Sequence, residues 1–172
     1  MRIIGHLVVI ALMILGLSAG AQAGSSTSSE GREDHRAQGY AFFAPGAIVG
    51  DGYSLGTAHF GAGGEGLLYK GLGLGAEVGY ITPWRNFKDG IGMLSVNGSY
   101  HFNRNGKLSP FVSGGYSMAF RSGHVNLFNF GGGVNYWWHD RIGLRVEFRD
   151  HVYSEFSRAT HFLGGRIGFS FR

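Results

Sequence analysis

The chain has 172 residues, enough for one domain with a buried interior, and its formal charge of +4 is too small and dispersed to indicate nucleic-acid binding. Cysteine is absent, which excludes disulfides, thiolate metal sites and a cysteine nucleophile. Charged residues make up only 15%, too few to cover a water-soluble domain, for which about 25% is typical.

The first 38 residues predict a signal for export followed by a disordered N-terminal tail. Residues 1–23 are typical of a secretory signal peptide, with a basic start at Arg2, a short apolar run over 7–17, and the small-residue cleavage pattern Ala21-Gln22-Ala23. An N-terminal membrane anchor is the alternative, but the apolar run is short for a span of about 20 residues. Residues 24–38 are polar and without periodicity, which predicts a disordered tail.

From residue 39 to residue 172 the chain alternates with the period of two that is typical of β-strands. The first strand is predicted over about 39–44, and a longer loop over 45–57. The second strand follows over about 58–69 and places His59 and Glu65 on one face. One face of the first strand is formed by Tyr40, Phe42 and Ala44.

The middle of the chain repeats this pattern four times. One face of each strand is apolar or aromatic, and the other consists mainly of Gly, Ser and Asn. Asn105-Gly106 is a strong turn signal between two of these strands. The other connections are a loop over 83–90 and a brief loop over 121–124. The four strands are predicted at about 72–81, 91–102, 110–120 and 125–137.

The last two strands are predicted over about 141–150 and 160–171, with a loop over 151–159 between them. The sequence RIGLRVEFRD of the seventh strand separates two faces cleanly. One face carries Ile142, Leu144, Val146 and Phe148, and the other carries Gly143, Arg145, Glu147 and Arg149.

Alternation alone does not decide which face points inward, and a glycine-rich soluble sandwich has the same pattern. Two further features favour a membrane barrel with a polar interior. Aromatic residues gather near strand ends, as in interfacial girdles: Tyr40, Tyr69, Tyr80, Tyr100, Phe102, Phe120, Tyr136, Trp138, Phe169 and Phe171. The mid-strand charges are three acids and three bases on the Gly/Ser/Asn face, where they can pair: Glu65, Glu77, Arg145, Glu147, Arg149 and Arg166.

Three segments carry a resemblance to a known family: the glycine-rich alternation of 71–80, FGGGVNYWW followed by RIGLRVEFRD over 130–150, and the final 165–171. They resemble the eight-stranded outer-membrane β-barrels, the class of the outer membrane protein A transmembrane domain. The resemblance covers roughly 38–172. It implies an all-β, eight-stranded antiparallel up-and-down transmembrane barrel in a bacterial outer membrane. The family usually ends on an aromatic residue, whereas here Arg172 follows Phe171.

The resemblance also implies partners and an orientation. The expected partners are outer-membrane lipids, lipopolysaccharide and, during insertion, the barrel-assembly machinery, with the barrel itself a monomer. A periplasmic N-terminal tail puts the turns near Lys70, Asn105 and His139 in the periplasm. The remaining loops are then extracellular, and they lie near Asp51, Phe87, Ser122 and Ser154.

Motifs of catalysis or cofactor binding are missing from the sequence, since HExxH, GxSxG and P-loop spacings do not occur. We therefore expect no catalytic, cofactor or metal residues. Three histidines, His59, His101 and His151, share the predicted interior face. The prediction is a structural or surface-interaction protein. Two alternatives stay open: a lipid A-modifying enzyme using His151 with Ser154 and Glu155, and a soluble periplasmic lipid-binding barrel.

Overall fold

The computed structural model describes residues 36–50, 52–155 and 158–172, and in these ranges eight strands close into one barrel. Each strand pairs antiparallel with the next, and the first pairs with the last, which confirms the predicted up-and-down topology. A 3-10 turn, Phe87–Asp89, lies between the third and fourth strands. The strands are β1 Ala37–Gly50, β2 Tyr53–Tyr69, β3 Leu72–Pro83, β4 Ile91–His101, β5 Leu108–Phe120, β6 His124–Trp137, β7 Ile142–Glu155 and β8 Arg158–Phe171.

The barrel has two ends that differ in their connections. The turn end carries the start of β1, the end of β8 and the connections β2–β3, β4–β5 and β6–β7. The loop end carries the other four connections. In the described part of the chain, no helix is long and apolar enough to cross a membrane.

The N-terminal predictions fall mostly outside the described residues. The predicted signal peptide, 1–23, lies wholly outside them, and so do residues 24–35 of the predicted tail. The tail boundary at residue 38 needs a correction, because β1 already begins at Ala37. Gln38 is buried and its amide donates a hydrogen bond to the Glu65 carboxylate, so this residue belongs to the barrel interior.

The predictions of two longer loops, at 45–57 and 151–159, are wrong. In the second of them β7 runs to Glu155 and β8 already begins at Arg158. β1 runs through to Gly50 and β2 starts at Tyr53, with Gly52 in the left-handed region at φ 81°. Pro45 is accommodated inside β1 because the pairing of β1 with β8 omits Ala44 and Pro45 and resumes at Gly46. A proline has no N–H to donate to a neighbouring strand, so this gap in the ladder removes the conflict.

Side chains on the outward face are apolar and exposed, which is the reverse of a water-soluble barrel. These large side chains are between 38% and 57% exposed: Leu74, Val78, Leu94, Val96, Val112, Phe130, Val146, Phe148, Ile167 and Phe169. At the turn end an outward ring of aromatic side chains is exposed as well: Tyr69, Tyr100, Phe102, Tyr136, Trp138, Phe169 and Phe171.

The first strand departs from the predicted orientation. Tyr40, Phe42 and Ala44 point inward and are buried, so Tyr40 is not part of the aromatic ring. An apolar cluster also fills the interior toward the loop end, where Ile81, Met93, Ala119 and Leu127 pack together. The interior is therefore apolar at this level and polar at mid-height.

Inward glycines let neighbouring strands approach closely. A Cβ added at Gly168 would meet the Ala41 carbonyl oxygen and come within 2.8 Å of Phe42 Cα, both on β1. We expect Gly168→Ala to destabilise the barrel by about 1–3 kcal/mol through overpacking, measured by urea unfolding in detergent. Gly165→Ala on the same strand is the matched control, because its Cβ would meet nothing within 4 Å. Equal unfolding midpoints for the two variants would contradict this prediction.

Candidate functional site

The candidate site is the polar core, defined here as the buried ionic side chains at mid-height in the barrel together with the groups that contact them. The six charges predicted to face inward come from β2, β3, β7 and β8. All are buried, with exposed fractions of 2–7%: Glu65, Glu77, Arg145, Glu147, Arg149 and Arg166. Interior charges of this kind need close partners, because desolvation is costly.

The seventh strand supplies a linear ionic triplet. Arg145, Glu147 and Arg149 point inward together because every second residue of a strand faces the same side. The Nε of Arg145 lies 3.0 Å from Glu147 Oε2, and the Nη2 of Arg149 lies 2.5 Å from Glu147 Oε1. Glu147 therefore bridges two guanidinium groups with its two oxygens.

Glu77 on β3 extends the triplet across the barrel. Its Oε2 lies 2.8 Å from Arg166 Nη1 on β8 and 3.8 Å from Arg149 Nη1 on β7. The hydroxyl of Tyr40 donates to the same oxygen at 3.1 Å. One carboxylate thus ties β1, β3, β7 and β8 together.

Glu65 on β2 forms the part of the core nearest the turn end. The Nη1 of Arg145 lies 3.5 Å from Glu65 Oε1, and His101 Nε2 lies 3.2 Å from the same oxygen. Gln38 and Ser99 also donate hydrogen bonds to this carboxylate. All three acids are consequently in contact with basic partners.

Aromatic rings cover the faces of two guanidinium groups. The guanidinium carbon of Arg145 lies 4.3 Å from the ring centre of Tyr40 and 4.0 Å from that of Phe111. Arg166 lies 4.1 Å from the ring centre of Phe42. Such cation–π contacts stabilise a desolvated cation.

Small polar side chains complete the core around Arg149. Its Nη2 donates to Ser113 Oγ at 2.9 Å, and its Nη1 donates to Asn129 Oδ1 at 3.4 Å. The Asn129 amide in turn donates to Ser117 Oγ at 2.8 Å. The Ser and Asn residues of the alternating pattern thus serve as hydrogen-bonding partners in the barrel.

Sequence reasoning missed the inward aromatic residues. Phe111 lies on the same face of β5 as Ser113, so the alternation could have predicted that Phe111 points inward. The apolar character of Tyr40 and Phe42 was misleading, because the apolar face of a strand is expected to point outward in such barrels. Gln38 precedes residue 39, at which the barrel was predicted to start.

Two of the residues considered for catalysis, His151 and Ser154, do not come together, and the side chain of the third, Glu155, lies outside the described part of the chain. His151 points inward and is buried, whereas Ser154 is exposed on the opposite parity of β7. Within the described ranges, no group of three or more His, Asp or Glu side chains is arranged to hold a metal ion. His101 contacts Glu65, while His59 and His151 lie together at the loop-end side of the core, with ring centres 5.9 Å apart.

Small cavities adjoin the polar core among the described residues, including two of about 10 Å³ each. One lies at the turn end near Gln38, His101 and Trp137. The other lies between His59, His151 and neighbouring groups. Each volume corresponds to room for about one water molecule.

Comparison with known proteins identifies a fold. No protein-family model and no curated protein matches the chain. Among solved structures, Neisserial surface protein A has a TM-score of 0.64 at 10% identity, covering 80% of this chain and 97% of that one. The N-terminal β-barrel domain of Pseudomonas aeruginosa OprF has a TM-score of 0.58 at 17% identity, covering 80% and 98%.

The outer membrane protein OprG from Pseudomonas aeruginosa is also similar, with a TM-score of 0.51 at 12% identity, covering 78% of this chain and 94% of that one. The similarity spans almost the whole of each of these proteins and, in this chain, matches a closed barrel of eight consecutive antiparallel strands. In its fold, the chain is therefore an eight-stranded up-and-down β-barrel of the outer-membrane type.

Proposed function

We propose that this protein is an integral outer-membrane barrel of a double-membraned bacterium, with a structural or surface-interaction role and no catalysis. The observation that carries the proposal is the inverted distribution of side chains. Arg149 and Glu147 are each 2% exposed, whereas Phe148 between them is 56% exposed. In water such an arrangement leaves apolar surface hydrated and charges desolvated, but in a bilayer the outward face meets lipid.

Closure of the sheet supports the same proposal. A bilayer core offers no water to unpaired backbone groups, so a sheet can cross it only when every edge is paired. Here β1 pairs with β8 over Gly39–Val49 and Phe171–His161. The exposed aromatic ring at the turn end matches the amphipathic side chains that favour a membrane interface.

The role in surface interaction rests on the loop end. The shortest strand, β4, has 11 residues and the longest, β2, has 17, so every strand is long enough to cross a bilayer, for which roughly 9–11 residues suffice. Extra strand length at this end extends β1 and β2 toward the hairpin at Gly50 and Tyr53. We propose that these strand extensions, in place of long loops, form the surface presented outside the cell.

The proposed partners follow from this placement. Phospholipid and lipopolysaccharide chains contact the outward face, and the barrel-assembly machinery inserts the chain through its last strand. A monomer suffices, since closure leaves no edge for a second copy. The geometry of His151 and Ser154, on opposite faces of β7, gives no support to a lipid A-modifying enzyme.

Cell fractionation tests the proposal. We expect the protein in the outer-membrane fraction, extracted only by detergent and migrating differently on gels when samples are boiled. Release in a salt-washed or periplasmic fraction would contradict it and favour the soluble lipid-binding barrel.

The packed interior predicts a non-conducting barrel. Ionic and aromatic side chains fill mid-height, and the cluster around Met93 and Leu127 fills the interior toward the loop end. An eight-stranded barrel has an interior just wide enough for its side chains. We expect planar-bilayer recordings without open-channel steps of the size given by general porins. Stable porin-sized conductance from pure, monomeric protein would contradict this.

A further inference from the structure

One of the two small cavities is lined by an unusual set of groups. It lies where His59 of β2, His151 of β7 and Arg166 of β8 converge, and Thr57 and Arg149 also line it. The two imidazoles meet edge to face at 69°, with centres 5.9 Å apart. The cavity therefore sits between the ionic network and the apolar cluster above it.

Three side chains that line this cavity each carry a polar atom without a hydrogen-bond partner among the described residues: His59 Nε2, His151 Nε2 and Arg166 Nη2. The side chains are buried, with residue exposures of 6%, 2% and 2%. Leaving even one such group unsatisfied in a protein interior is unfavourable, and three around one cavity indicate a bound species that satisfies them together.

The chemistry of the lining selects an anion. Among the described residues, every charged or titratable side chain that lines the cavity is basic, namely His59, Arg149, His151 and Arg166, and none is a carboxylate. A metal cation would meet two guanidinium groups at close range. N–H donors from an arginine and two imidazoles suit a species that only accepts hydrogen bonds.

We propose that this cavity binds a single halide-sized anion, held by Arg166 Nη2 and the Nε2 atoms of His59 and His151. A volume of about 10 Å³ admits a species of about one water molecule in size and excludes phosphate or a carboxylate. Chloride is the abundant anion of this size. The site does not depend on where the barrel resides, because all its groups face the interior.

The charges around the cavity also bear on anion binding. The three acids and three bases of the polar core offset one another, so a bound anion adds a negative charge beside the two arginines that line the cavity, Arg149 and Arg166. The charged groups that face His59 and His151 are Glu77 from β3, Arg149 from β7 and Arg166 from β8.

Crystals of the full barrel grown in sodium bromide give the direct test. We expect an anomalous bromide peak in contact with Arg166 Nη2 and both Nε2 atoms. Density for water without anomalous signal, or an empty cavity, would overturn the proposal. This measurement uses the unaltered protein, so it does not depend on whether a variant folds.

Thermal unfolding in detergent gives an independent test in solution. Bromide should raise the midpoint above that in gluconate of equal ionic strength, by about 3 °C once bromide is roughly tenfold above its Kd. His151→Leu and Gly79→Ala should abolish this difference, since a Cβ at Gly79 would lie 2.5 Å from His59 Nε2. Gly165→Ala, whose Cβ meets nothing, should keep it. An equal bromide effect in His151→Leu would count against the site.

Discussion

Replacing Glu147 by alanine is expected to destabilise the barrel by about 3–5 kcal/mol, because it leaves two buried guanidinium groups without their shared carboxylate. Glu147 contacts Arg145 at 3.0 Å and Arg149 at 2.5 Å. Arg145 retains Glu65 at 3.5 Å, and Arg149 retains Glu77 only at 3.8 Å. The measurement is the free energy of unfolding from urea titration in detergent micelles or lipid vesicles.

An exposed ion pair in the same protein provides the control. Arg121 and Asp89 lie 3.1 Å apart, with side chains 52% and 53% exposed. We expect Asp89→Ala to cost less than about 1 kcal/mol, because water screens and replaces the contact. Comparable losses in Glu147→Ala and Asp89→Ala would mean that the polar core is hydrated and that its ion pairs do not support the barrel.

Strand period and charge placement could be derived from the sequence because they follow from local rules. In β7, the alternation of Ile142, Leu144, Val146 and Phe148 with three charges places those charges on one face regardless of the rest of the fold. The same reasoning placed Glu65, Glu77 and Arg166 on the interior face, where the structure has them. Which acid contacts which base depends on strand register, and periodicity contains no information about that.

The strand ends were predicted less well, for a physical reason. Residues 45–57 contain proline, glycine and serine, which favour loops in isolation, yet the pairing of β1 with β2 continues up to Gly50 and Tyr53. Hydrogen bonding to two neighbours in a closed barrel outweighs weak local preference. Only the partner strands reveal that such a segment is extended.

The interior orientation of Tyr40 and Phe42 could not be derived from apolar character. Both rings cover guanidinium groups, Arg145 at 4.3 Å and Arg166 at 4.1 Å. A polar core that contains three arginines thus creates positions inside the barrel that favour aromatic side chains. Tyr40 also donates to Glu77, so its hydroxyl is satisfied where a girdle tyrosine would contact headgroups.

Placing a charge on the outward face separates a membrane barrel from a soluble one. Phe148 is 56% exposed, and it lies six residues along β7 from Ile142 at the turn end. With a rise of about 3.3 Å per residue and a tilt of about 45°, this is roughly 14 Å in height, near the middle of an apolar band about 25 Å tall. We expect Phe148→Arg to lower the stability of the barrel in lipid vesicles by about 2–4 kcal/mol.

A second variant places arginine at a different depth in the bilayer. Ile142 is 40% exposed on the same strand and face, so Ile142→Arg places the same side chain at the interface, where the cost falls to about 0–1 kcal/mol. A soluble barrel would not show this difference between the two variants. Replacing an exposed apolar residue by arginine in such a barrel usually changes stability by less than about 0.5 kcal/mol at either position. A loss of stability in vesicles that depends on the depth of the arginine therefore has only lipid contact as its physical source. Equal, small effects at both positions would contradict placement of this face in a membrane.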